Sequence, residues 1–258
     1  MINKKEFLNC FNGCDESIIY KLYDKILLAE KTNKVVYSRF FIYKGIYNKL
    51  KSMEKSIDAK IYCNGIFDEC ERVMISISSY EIPSYYPMVL LKIVNKSKFK
   101  NLSHKDYLGS IMAQGIKREL LGDLIVQDNS AYVPVVEEIV DFLILNLNSI
   151  GKCPCEVIEL QDNVLNIPKI NFEEKIVIVT SLRLDNIISS ICNISRSKAL
   201  DLIQCGKVLI NYAEETKKDK IIIKEDIVTI RTYGKFKVGE VIGKTNSDRF
   251  KISIKKYN

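Results

Sequence analysis

Arg183, Arg196, Lys198 and Lys207 fall in one short stretch of the chain. Guanidinium and ammonium groups bind phosphate oxygens through charge-assisted hydrogen bonds, so these residues suit a polyanion. Residues 181–258 hold 16 Lys and Arg against 9 Asp and Glu, whereas residues 1–180 hold 23 of each. The whole formal charge of +7 therefore belongs to the C-terminal part. A basic module after a neutral body points to RNA or DNA before any other partner. Asp185, beside Arg183, reads as a helix-start acid rather than a catalytic one, because the helix dipole favours an acid there.

The elements that must position these cations follow from spacing. Leu184, Ile187, Ile188 and Ile191 repeat with the helical period. Ser195 is placed to cap a second helix whose Ala199, Leu202 and Ile203 face one side. That helix turns Arg196, Lys198 and Gln204 away from the core, and Gly206 ends it. Residues 208–210, 221–224 and 227–231 read as short strands, giving two helices followed by a small sheet. The candidate RNA contacts are Arg183, Ser195, Arg196, Ser197, Lys198, Gln204, Lys207, Asn211, Arg231 and Lys235.

Further upstream, residues 4–10, 15–31 and 38–55 read as helices, the last with a face of Phe40, Phe41, Ile46, Tyr47 and Leu50. Short strands follow at 60–63, 72–78 and 87–94, a helix at 103–113, strands at 123–126 and 131–135, a helix at 137–147 and a strand at 155–160. The predicted fold is α+β: a helical N-terminal region (1–59), a central split βαβ domain (60–160), a connector (161–174) and the basic module (175–258). Strands 73–78 and 155–160 carry none of the stacking aromatics of an RNA-recognition sheet. The central domain is therefore expected either to bind RNA through loop residues such as Lys117 and Arg118, between Gly115 and Gly122, or to contact protein.

Composition sets limits. With 47% hydrophobic and 28% charged residues, the chain is a folded globular protein rather than a disordered one. No apolar run reaches the roughly 18 residues of a membrane span, and the N-terminus lacks a signal peptide, so the expected location is the cytoplasm. The eight cysteines form no Cys-x-x-Cys pair and His104 is the single histidine. Reduced, mostly buried thiols and no metal or other cofactor are expected. The expected state is a monomer.

At Arg183-Leu184-Asp185, Ser195-Arg196-Ser197-Lys198-Ala199, Ile203-x-x-Gly206-x-Val208, Asn211 and Asp226 the basic module resembles the S-four-type RNA-binding domain. A glycine often follows the asparagine in that pattern, whereas Tyr212 stands here. Leu102–Ser110, Gly115–Asp123 and Gly65–Arg72, the last with Cys70 at a usual alanine, resemble the bacterial YlmH family. That likeness spans about residues 60–258. It implies a central domain of RNA-recognition type, binding to structured large-subunit rRNA and to tRNA on the ribosome, rescue of stalled large subunits carrying peptidyl-tRNA, and a link to cell division.

Two other readings compete. Arg183-Leu184-Asp185 also resembles the catalytic tripeptide of pseudouridine synthases, with Asp185 attacking the base. The 73 residues after Asp185 are basic and rich in short strands, which is too little for that catalytic domain. A methyltransferase would need a Gly-rich strand-to-helix loop, and the sequence has none. The other reading is a protein-binding adaptor, which salt-dependent binding to rRNA rather than to acidic protein would separate.

Overall fold

The structure is a computed structural model that describes residues 3–11, 13–97, 99–160, 167–169 and 172–257. It is an α+β protein whose chain divides into two compact units, Met1–Ile170 and Asn171–Asn258.

The first unit opens with α1 (Lys4–Asn9), α2 (Glu16–Thr32), β1 (Val36–Tyr43), α3 (Lys44–Ser52), α4 (Glu54–Ile57), β2 (Lys60–Asn64) and β3 (Arg72–Ser78). The expected helix at 38–55 is instead a strand followed by a helix. Phe40 and Ile42 enter the core shared with α2, while Phe41 packs on the other face with Met74 and Val136. Burial on both faces makes the apolar residues consecutive, and the strand alternation disappears from the sequence. A register shift at Tyr37–Phe41 is held by Ser38, whose hydroxyl accepts from Ile75 N at 3.2 Å and donates to Phe40 O at 2.7 Å. The sheet order β1-β3-β2 also moves the expected boundary at residue 60, because β2 and β3 belong with β1 and not with the central sheet. The N-terminal region is therefore mixed rather than wholly helical.

The central part runs β4 (Met88–Asn95), α5 (His104–Ala113), β5 (Ile125–Gln127), β6 (Ser130–Val136), α6 (Val140–Asn146), β7 (Ser149–Ile150) and β8 (Cys153–Leu160). The strand order is β5-β6-β4-β8-β7 with every neighbour antiparallel, which is the split βαβ arrangement with one added edge strand. Leu91, Ile93, Ala131, Val133 and Val157 share a core with Tyr107 and Ile111 of α5 and Leu143 of α6. Cys153 and Cys155 face this core together, as their spacing requires. All eight cysteines are free, and the expectation of mostly buried thiols is too strong: Cys70 and Cys153 are buried, but Cys10 and Cys205 are exposed.

The two upstream motifs meet each other. Arg72, 5% exposed, donates from Nε to Leu121 O at 3.1 Å and from Nη2 to Phe41 O at 3.1 Å. Asp123 Oδ2 accepts from Glu71 N at 2.5 Å and Arg72 N at 3.1 Å. Arg118 donates to Leu121 O and Gly122 O at 2.7 and 2.9 Å, so its guanidinium closes this turn and is not an open loop contact. A Cβ on Gly122 would sit 3.0 Å from Pro134, which makes that glycine a packing requirement.

The second unit runs β9 (Phe172–Val179), α7 (Leu184–Cys192), α8 (Arg196–Gln204), β10 (Val208–Ile210), β11 (Ala213–Glu214), β12 (Ile227–Ile230), β13 (Gly234–Lys244) and β14 (Phe250–Tyr257). The connector expected to reach residue 174 thus ends before β9 begins, and residues 161–166, 170 and 171 lie outside the described residues. The sheet is six-stranded with order β11-β10-β12-β13-β14-β9. Ile187, Ile188, Ile191, Ala199 and Ile203 of the helices pack on Val208, Val228, Phe236 and Ile254. Residues 221–224 are not a strand of this sheet. Ile221 forms an isolated bridge with Arg183, and Ile222 N donates to Leu182 O. The segment therefore pairs with the entry to α7.

Candidate nucleic-acid interface

Asp185 organises the entry to α7. Its side chain is 2% exposed, and its two carboxylate oxygens hold different arginines. Arg183 Nε lies 3.2 Å from Oδ1 and Arg196 Nη2 lies 2.5 Å from Oδ2. The arginine side chains remain 37% and 56% exposed, so each guanidinium is fixed at one edge and presented to solvent at the other. Burial alone would raise the Asp185 pKa. Hydrogen bonds and charge from Arg196 and Arg183 outweigh it and hold the carboxyl below its ordinary value. Asn186 pins the preceding loop by donating to Thr180 Oγ1 at 2.9 Å and Ser181 Oγ at 2.6 Å.

The start of α8 supplies the next cations. Ser195 Oγ accepts from Lys198 N at 3.2 Å, so the serine is the helix cap. Arg196, Ser197 and Lys198 form the exposed first turn, which contains no acid. Two cations at the positive end of a helix dipole are electrostatically unfavourable by themselves, and a bound anion reverses the sign.

The remaining candidates separate. Exposed Gln204, Lys207 and Arg231 gather toward the far end of α8, where Arg231 N donates to Lys207 O at 2.9 Å. The Asn211 amide is engaged within the fold: Nδ2 donates to Asp226 Oδ1 at 2.8 Å and Oδ1 accepts from Ile227 N at 2.9 Å. Asn211 is thus a turn clip. Lys235 alternates with core residue Phe236 on β13 and so faces the side of the sheet opposite α7 and α8. Its ammonium stands 5.6 and 4.9 Å from the ring centres of Tyr212 and Tyr257.

One group of cations escaped the sequence reading. Lys218 O accepts from Asp185 N at 3.2 Å and Lys220 O accepts from Leu184 N at 2.9 Å. The Lys217-Lys218-Asp219-Lys220 loop, exposed throughout, is thereby laid beside Arg183 and Asp185. The charge run was its visible signal, and its docking through backbone carbonyls was not visible. Among the described residues no group of His, Cys, Asp and Glu is arranged to hold a metal ion, and no helix is long and apolar enough to cross a membrane.

Comparison with known proteins gives a family model at the centre of the chain and similar proteins beyond it. Residues 83–164, the central split βαβ domain, match the family model described as "Putative RNA-binding domain in YlmH". The chain is similar to the "Ribosome-associated protein quality control protein P2" of Bacillus subtilis, with 26% identity over 210 residues, 80% of this chain and 82% of that protein. It is 32% identical over 82 residues to the "Uncharacterized RNA pseudouridine synthase MG209" of Mycoplasma genitalium, covering 32% of this chain and 23% of that one. A solved structure titled "Cell division protein ylmH from Streptococcus pneumoniae" aligns with a TM-score of 0.48 and 25% identity, covering 57% of this chain and 91% of that chain. The family model thus covers the centre of the chain, and the similarity to the Bacillus protein runs along most of both chains.

Proposed function

We propose that this protein is a non-catalytic RNA-binding factor that docks on structured rRNA of the large ribosomal subunit, beside tRNA, during rescue of stalled ribosomes. The carrying observation is the Asp185-anchored pair Arg183 and Arg196 next to a helix start that bears only cations. Such a rim recognises the spacing of phosphates on a folded backbone, as proteins do with structured RNA. Lys198, Lys207, Arg231 and the loop at 217–220 extend it. The name of the Bacillus relative supports the ribosomal setting, and a ribosomal setting supports a cytoplasmic location.

The likeness to a pseudouridine synthase is favoured by 82 residues of similarity. The burial of Asp185 and its engagement by two arginines support the non-catalytic reading instead, because a nucleophile needs an approachable carboxylate. Sucrose-gradient sedimentation of cell extract tests the proposal. The full chain is expected in the large-subunit fractions, and Arg196→Ala with Lys198→Ala is expected to leave them. A wild-type chain that stays at the top at low salt, or travels only with small subunits, overturns it.

A further inference from the structure

Asn211 and Tyr212 form the two-residue loop between paired residues Ile210 and Ala213, and both take positive φ, 49° and 70°. This turn favours glycine at its second position because a Cβ crowds the backbone there. A bulky tyrosine in that conformation is sterically costly. Tyr212 stands outside the core cluster that contains Phe236 and Ile254, and so does Tyr257. Both rings are half-buried on the face of the sheet turned away from the helices, with the Lys235 ammonium over each. Phe172 meets Tyr257 edge-on at 4.9 Å, and the Lys255 ammonium lies 5.2 Å from the Phe172 ring centre. Aromatic rings interleaved with lysines outside a core are the chemistry that receives bases and phosphates of an unpaired strand.

We infer that Tyr212, Lys235 and Tyr257 form a stacking site for an unpaired nucleobase of the bound RNA, with Lys235 meeting the adjoining phosphate. The site rests on the RNA-binding reading and adds a second face to it. The helix-side rim holds a folded backbone, and the sheet side takes a single-stranded extension. The strained tyrosine is retained for its ring, in a position where glycine would give the more relaxed fold.

Two fluorescent RNA probes test this on the full chain: a blunt stem-loop, and the same stem-loop with a single-stranded uridine tail. Wild type is expected to prefer the tailed probe. Tyr212→Gly is expected to keep or raise the melting temperature, weaken the tailed probe by about tenfold and leave the blunt probe unchanged. Tyr212→Phe is expected to retain the preference. Photocrosslinking of 5-iodouridine placed in the tail is expected at Tyr212 or Tyr257. The inference is overturned if wild type binds both probes equally, if Tyr212→Gly preserves the preference, or if crosslinks map only elsewhere. Arg196→Ala separates the two ideas. If it weakens both probes while Tyr212→Gly weakens neither, the RNA-binding reading stands and this site falls. If wild type binds neither probe, both fall.

Discussion

Asp185 and Arg196 belong to consecutive helices, yet the buried carboxylate and the half-exposed guanidinium meet at 2.5 Å. The second carboxylate oxygen takes Arg183, so one acid aims two arginines. Asp185→Asn keeps the shape and loses one charged acceptor. Its expected effect is a loss of about 1–3 kcal/mol of stability, together with weaker RNA binding as both side chains regain rotamer freedom. Urea denaturation and RNA titration measure the two effects, and pseudouridine content of the rRNA is expected to stay unchanged. A specific pseudouridine lost with the fold intact would instead reveal an enzyme.

Salt dependence reports the phosphate contacts directly. Each contact removed should lower the slope of log affinity against log salt by about 0.7–0.9. Arg196→Ala with Lys198→Ala should therefore flatten the slope by about 1.5, with little change in melting temperature at Lys198, an exposed site. An unchanged slope would remove the start of α8 from the interface.

The loop at Lys217, Lys218 and Lys220 makes a separate prediction. Its backbone carbonyls fix it beside Asp185, so replacing the lysine side chains with alanine leaves that docking intact. The triple variant is expected to stay within about 0.5 kcal/mol of wild-type stability and to lose RNA affinity with a reduced slope. Unaltered affinity would mean that the run is simply a solvated surface.

Much of the second unit was legible because α7 and α8 carry one apolar face each, and Gly206, with positive φ, ends the second. The sheet beyond Arg231 was not. β13 shifts register at Val238, Val241 and Gly243 and leaves adjacent Val241 and Ile242 exposed, so its alternation is broken. In the first unit, β1 was hidden by burial on both faces. At the site, residue types pointed to cations, but which cations share an acid depends on how two helices pack. Asn211 illustrates the limit: sequence marks it as part of a pattern, and only the geometry shows its amide held by Asp226 and Ile227.

Arg72 should matter for the fold of the first unit and not for the C-terminal rim. Its buried guanidinium satisfies carbonyls of β1 and of the turn at residues 118–122, and stands 4.6 Å from the Tyr43 ring centre. Arg72→Ala leaves those acceptors buried and creates a void, an expected loss of about 3 kcal/mol or more. Thermal denaturation should show the drop, while the salt slope of RNA binding measured well below the transition should be unaltered. A changed slope would place Arg72 or its turn in the interface.

Acid should weaken the Asp185 anchor in a defined direction. The folded-state pKa of Asp185 is held below its ordinary value by Arg196 and Arg183 against the opposing effect of burial. A depressed carboxylate contributes stability that is fully present above the unfolded-state pKa, near 3.9 for aspartate, and is lost as pH falls through the folded-state pKa. Wild type and Asp185→Asn share every other titrating group, so their stability difference isolates this one. The difference should be constant from about pH 7 to about pH 5 and shrink below about pH 4. Urea midpoints across that range measure it. A gap between the two proteins that stays constant down to about pH 3 would mean that Asp185 is not held ionised by its arginines, and the preorganised rim would lose its basis.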